Sequence, residues 1–328
     1  NNRRKTNACF AVACFPFAVI ISWIRISGKT ETIYKDEQVK RTGRLCRRRR
    51  KHLMRSLTRL TDLRADDIYE IFQIADEIAG GKYNGFLNGK SVVLFFPASS
   101  IRTRVTFEKG IYLLGGQPIL FPGDALDKKE EIRDVCGYLN NWADIVIVRH
   151  KSLHLIEKIA QYSKVPVINA MTDRNHPCEI LSDLYSLSQI REHFEKDHYL
   201  FCGKSGNIGL AWKEAADVLG FDLSQCCAAG YEMEGVSVYH DVKAAVKGKD
   251  IICTDSLPAE AMEDFKDCRI TKEVMDMANP NALLNPCPPF YRGEEVSDDV
   301  IESEYFAGYA FKKNLLAVQQ AVMIWCVR

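Results

Sequence analysis

The sequence has no Cys-x-x-Cys pair and no Cys/His cluster at metal-ligand spacing, although it holds 12 cysteines. That argues against a zinc framework. So many thiols without a disulfide-scaffold pattern fit a reducing compartment such as the cytoplasm better than secretion. No collagen-like period, internal repeat or low-complexity stretch interrupts the body of the chain. With 47% hydrophobic and 27% charged residues in 328, the composition is not that of a disordered chain and is long enough for two ordinary domains. Net charge is also nearly lacking, at +1, but it is unevenly spread. Residues 1–53 carry 14 Lys+Arg and 3 Asp+Glu, which leaves 30 basic and 40 acidic residues for the rest. An acidic body argues against nucleic acid as a partner.

Residues 1–53 stand apart. Arg3, Arg4 and Lys5 precede a mostly apolar run from Ala8 to Ile24, broken by Pro16 and Ser22, and a basic tail ends in Arg47–Lys51. The run is at the short end for a membrane span, and no small-residue cleavage site follows it. A signal or anchor segment, a transit peptide and a basic surface-binding arm all fit in part. The expectation is that this extension forms no stable fold and is not part of the working protein, with Met54 as its start. No membrane association is expected for residues 54–328.

From Met54 onward helices and strands alternate. Residues 65–79 place Ile68, Ile71, Phe72, Ala75, Ile78 and Ala79 on one helical stripe. Residues 91–96 form a continuous apolar run, as in a strand buried on both faces. A helix is predicted over residues 103–114, stopped by Gly115-Gly116, with strands at 119–121, 144–148 and 165–168 and a long helix over 180–190. The pattern then restarts with a strand at 199–202, a Gly-rich turn at 203–209, a helix at 210–219, strands at 250–253 and 282–284, and a last helix over 309–327. The fold class is therefore α/β, with two doubly wound parallel-sheet domains and ligands at the carboxyl ends of strands. The expected division is 54–190, 191–308 and a C-terminal helical segment, 309–328, returning to the first domain.

The sharpest local feature follows the first strand: Pro97-Ala98-Ser99-Ser100-Ile101-Arg102-Thr103-Arg104. A buried strand ends, a polar turn follows and a helix begins, so free backbone N–H groups and the helix dipole make an anion site. Ser100 and Thr103 add hydroxyls. Arg102 and Arg104 are two apart, so only one is expected to face a ligand, in the manner of a phosphate-gripping guanidinium. Two arginines at a helix start oppose the dipole, which is costly without an anion.

This segment resembles the Ser-Thr-Arg-Thr-Arg motif of the aspartate/ornithine carbamoyltransferase family. Further matches keep family order to the C-terminus. Asp127–Glu131 looks like the mobile lysine loop, Arg149-His150 the Arg-His at a strand end, His176-Pro177-Cys178-Glu179 the His-Pro-Thr-Gln segment, and Asn285-Pro286-Cys287-Pro288 the His-Pro-Leu-Pro or His-Cys-Leu-Pro segment. The resemblance implies that Ser100, Ile101, Arg102, Thr103 and Arg149 bind carbamoyl phosphate, with Lys129 closing over it from a neighbouring subunit. It implies that His176, with Thr103 and Arg149, polarises the carbamoyl oxygen. Arg102, Arg149 and His176 are thus the catalytic candidates. Glu179 replaces the family Gln as acceptor for the carbamoyl NH2. Its charge beside a phosphate dianion requires Arg and Lys to offset it. Otherwise Glu179 is simply the first exposed residue of its helix.

On the second-substrate side, Asn207 in Ser205-Gly206-Asn207-Ile208-Gly209 resembles the amino-acid-binding turn of the ornithine enzymes, and Asp255 their amine-contacting Asp. The alternative for the turn is a tight strand–helix connection. Cys287 and Pro288 are expected at the acceptor. A nucleophilic Cys287 is not expected, because no base partner is apparent. No Arg occurs in 203–209 or 254–260, which disfavours an aspartate-type acceptor. Departures from the family pattern are Ile101 for Thr, Glu179 for Gln, Lys204 for Asp and Leu315 for an Arg, the last with Lys312 or Lys313 as a substitute. The resemblance implies transfer of the carbamoyl group of carbamoyl phosphate to an amino-acid amine, ornithine first. Another amine (a diamine, acylated ornithine, oxamate or aspartate) and a non-catalytic phosphometabolite-binding paralogue are the alternatives. It also implies a homotrimer or a multiple of one, with no metal and no organic cofactor.

Overall fold

The structure, a computed structural model, describes residues 55–328. The expectation for residues 1–53 and for Met54 concerns positions outside that range. In chain order the regular elements are α1 (Ala65–Ala79), β1 (Ser91–Phe96), α2 (Arg102–Leu113), β2 (Gln117–Pro122), α3 (Ile132–Leu139), β3 (Ile145–Arg149), α4 (Leu153–Tyr162), β4 (Val167–Met171) and α5 (Pro177–Ser188). They continue with β5 (His198–Cys202), α6 (Asn207–Leu219), β6 (Asp222–Cys226), β7 (Ser237–Tyr239), α7 (Val242–Ala245), β8 (Ile251–Thr254), α8 (Lys272–Met275), β9 (Leu283–Pro286), α9 (Asp298–Ile301) and α10 (Leu315–Val327).

Two parallel sheets result, in the strand orders β2-β1-β3-β4 and β7-β6-β5-β8-β9. The apolar runs that the sequence offers become their central strands: Val92 to Phe96, Ile145 to Val148 and Ile251 to Cys253 are all buried. In each sheet the chain lays strands on one side of the first strand and then crosses to the other. The crossing lies between β1 and β3 in the first sheet and between β5 and β8 in the second. A crevice opens at such a reversal, outside the carboxyl ends of the strands.

The helix expected over 309–327 divides into a 3-10 segment, Tyr309–Asn314, and α10. α10 is apolar nearly all round and buried along its length, as befits a helix surrounded by others. It packs on α1, α2 and α5 of the first domain. Two strands, β6 and β7, and five helices, α3, α4, α7, α8 and α9, add to the elements expected from the sequence. The long helix expected over 180–190 begins earlier, at Pro177, whose fixed φ and absent N–H suit a first helical position. Among the described residues, no helix is long and apolar enough to cross a membrane. The nine described cysteines are all free and buried.

Candidate active site

The first crevice carries the anion cradle. β1 ends at Phe96, the turn closes with the Ser100 N–H donating to the Pro97 carbonyl at 3.0 Å, and α2 starts at Arg102. Ile101 precedes the helix without a capping side chain, so its first N–H groups are not covered by a side-chain oxygen. Ser100 and Thr103 are buried. Arg149, the last residue of β3, reaches across: its Nη1 donates to Ser100 Oγ at 3.0 Å and to Thr103 Oγ1 at 3.5 Å. Burial lowers the Arg149 pKa, partly offset by the Glu179 carboxylate; a guanidinium remains charged nonetheless. The two helix-start arginines separate as the spacing suggests. Arg104 Nε donates to Glu108 Oε1 at 2.6 Å on the same helix, whereas Arg102 lines the cavity. Ile101 projects into the open, 71% exposed, and also lines the cavity wall.

His176 is the residue before α5, buried, with Nδ1 lacking any hydrogen-bond partner. Desolvation pulls its pKa down to about 4, so the ring is neutral near neutral pH and carries one N–H. Glu179 is buried on the third residue of α5. The alternative of an exposed residue at a helix start therefore does not hold. The cation that offsets Glu179 comes from the far end of the chain. Lys312 Nζ donates to Glu179 Oε1 at 3.0 Å and to the Asp183 oxygens at 2.6 and 2.7 Å. Burial works against the Lys312 ammonium, but the facing Asp183 and Glu179 carboxylates outweigh it and raise its pKa. Lys312 lines the cavity together with Lys313 and Leu315, but its three donors are directed at these carboxylates. Asp183 escaped the sequence reading. The available signal was its place four residues after Glu179, on the same helix face.

The second crevice supplies the opposite wall. Asn207 begins α6 and donates through Nδ2 to the Thr172 carbonyl at 3.0 Å. Asp255 follows β8, half-buried; burial pushes its carboxyl up to about 7, against the Ser256 N–H that it accepts at 2.9 Å. Cys287, after β9, is buried, and desolvation holds its thiol well above the ordinary range, so it is protonated. Arg102, Thr103, Arg149, His176, Glu179, Asn207, Asp255, Cys287 and Pro288 all line one cavity of ≈ 890 Å³. Ser100 touches it through Arg149. Lys129 is exposed and is not among the lining residues. Among the described residues, no group of three or more His, Cys, Asp or Glu is arranged to hold a metal ion.

Two parallel-sheet domains, each offering the crevice at its strand-order reversal to one shared cavity, define a two-domain α/β protein that binds ligands between its sheets. A profile of the aspartate/ornithine carbamoyltransferase carbamoyl-P binding domain matches residues 55–189, and one of the aspartate/ornithine carbamoyltransferase Asp/Orn binding domain matches 196–326. The chain belongs to the aspartate/ornithine carbamoyltransferase family. It is 32% identical over 274 residues to the ornithine carbamoyltransferase of Geobacter metallireducens, covering 76% of this chain and 90% of that one. It is 30% identical over 298 residues to that of Geobacter sulfurreducens, covering 83% and 98%. Among solved structures, the ornithine carbamoyltransferase of Pyrococcus furiosus superposes with a TM-score of 0.78 at 29% identity, covering 82% of this chain and 96% of that one.

Proposed function

We propose that this protein transfers the carbamoyl group of carbamoyl phosphate to the side-chain amine of ornithine, giving citrulline and phosphate. The observation that carries the proposal is the single cavity in which the Ser100–Thr103 cradle, with Arg149, faces Asn207 and Asp255. Arg102, Arg149, the Ser100 and Thr103 hydroxyls and the exposed N–H groups at the start of α2 hold the phosphate. The neutral His176 ring, with Thr103 and Arg149, donates toward the carbamoyl oxygen, where negative charge grows as the amine attacks. Glu179 accepts from the carbamoyl NH2. The amine lone pair forms the new C–N bond, the bond from carbon to the bridging oxygen breaks, and the proton lost by the amine leaves with phosphate or solvent. Asp255 and Asn207 hold the acceptor's amino-acid end, and the backbone around Cys287-Pro288 orients the attacking amine.

On this proposal residues 54–190 form the carbamoyl phosphate domain, 191–308 the acceptor domain, and 309–328 the segment that returns to the first. Lys129 completes the site of a neighbouring subunit in a cytoplasmic homotrimer. The test is incubation with carbamoyl phosphate and a panel of amines. Citrulline and phosphate appearing in equal amounts with ornithine is the expected result. No phosphate release with any amine contradicts the proposal.

A further inference from the structure

Beside the transfer cavity, two carboxylates on one helix share one ammonium. Glu179 and Asp183 are one turn apart on α5 and both are buried. Like charges at that spacing repel, and burial leaves no water to screen them. Lys312 enters between them, with Asp183 nearer than Glu179, and Asn285 Nδ2 of β9 donates to Asp183 Oδ2 at 2.9 Å. Both Asp183 oxygens are therefore engaged. Glu179 is engaged through Oε1 alone. Its Oε2 is not among the sealed, unpaired atoms, and Glu179 lines the cavity while Asp183 does not.

Resting on the carbamoyl-transfer reading, we propose that Lys312 is a positioning residue: it keeps Glu179 charged and turned so that Oε2 is a fixed acceptor for the N–H of the carbamoyl group, making the donor pocket selective against acyl phosphates that lack an N–H. An ionised carboxylate accepts only, whereas a primary amide can present either its oxygen or its NH2. A donor such as acetyl phosphate offers Oε2 a methyl group and leaves that acceptor without a hydrogen bond, the situation in which a site discriminates strongly. Replacing Glu179 by Gln leaves Lys312 and Asp183 as a matched pair, so that variant retains a balanced interior.

The experiment compares wild type, Lys312→Met, Glu179→Gln and the double variant as full chains, measuring kcat/KM for carbamoyl transfer and competition by acetyl phosphate. Lys312→Met is expected to lose about 100-fold in kcat/KM, on the scale of a charge-assisted hydrogen bond. Adding Glu179→Gln to it recovers about 10-fold, because it removes one of the two carboxylates left without the cation, while Asp183 keeps its bond from Asn285. Glu179→Gln alone narrows the preference for carbamoyl over acetyl phosphate by about 10-fold. A double variant no better than Lys312→Met, or an unchanged preference in Glu179→Gln, overturns the inference. Should Lys312→Met fail to fold, the Glu179→Gln comparison decides alone. If the wild type turns over and these comparisons fail, only this inference falls. A wild type inert with every amine removes the proposed function, and the inference with it.

Discussion

Asp255 sits at the cavity wall with its carboxyl pushed up to about 7 by burial, so it changes charge near neutral pH. Below that value it is protonated and holds no countercharge for an amine; above it, the carboxylate attracts one. The KM for ornithine is therefore expected to fall as pH rises through about 7, and Asp255→Asn should raise KM and remove the step. Steady-state kinetics across that range checks this, and an identical step in the Asn variant would assign it to another group. Single residues were legible where chemistry and position coincide: a Ser, a Thr and an Arg at the end of a buried strand announce an anion site. The Glu179–Lys312 contact was not, because its partners are 133 residues apart and neither charge alone reveals the other.

At the scale of elements, the first turn of α6 places Asn207 by a close approach. A Cβ on Gly209 would meet Phe201 Cε1 at 2.6 Å and Met233 Sδ at 2.9 Å, so only glycine lets the helix settle on β5. Gly209→Ala is expected to shift that turn. Overpacking of this kind costs about 1–3 kcal/mol. It should raise the acceptor KM while carbamoyl phosphate affinity stays near the wild-type value, a split that thermal melting together with substrate kinetics resolves. Elements were readable from the sequence in proportion to their apolar regularity. β1 is a continuous apolar run and α1 a clean stripe, and both lie where expected. β6 hid itself: its buried Gln225 donates to the Gly203 and Tyr231 carbonyls and accepts from the Met233 N–H, so a polar side chain occupies a core position by local hydrogen bonding. α4 begins with a Ser152 cap that accepts from the Leu155 N–H, a start signal followed by the apolar spacing Leu153, Ile156, Ile159.

For the whole molecule, the chain alone assembles both crevices but leaves Lys129 outside the cavity. His150 ties that loop down. Its Nδ1 accepts from the Ser152 N–H at 3.0 Å, which places the proton on Nε2 to donate to Asp127 Oδ1 at 2.9 Å. If Lys129 acts in the neighbouring subunit, Lys129→Ala and Arg102→Ala proteins, each inactive, are expected to regain part of the activity when mixed and allowed to exchange subunits, since some sites then hold both intact residues. Mixtures no more active than their components would place Lys129 in its own subunit's site or outside catalysis.

The central claim is electrostatic: β1, the start of α2 and the end of β3 form a cationic cradle for a doubly charged phosphate. Calorimetric titration of the full chain with a phosphonate mimic of carbamoyl phosphate tests it without reliance on any acceptor. One saturable site per chain is predicted, weakened about 100-fold by Arg102→Ala and little changed by Arg104→Ala, whose guanidinium is held by Glu108. Absence of binding, or equal loss from both substitutions, would contradict the account.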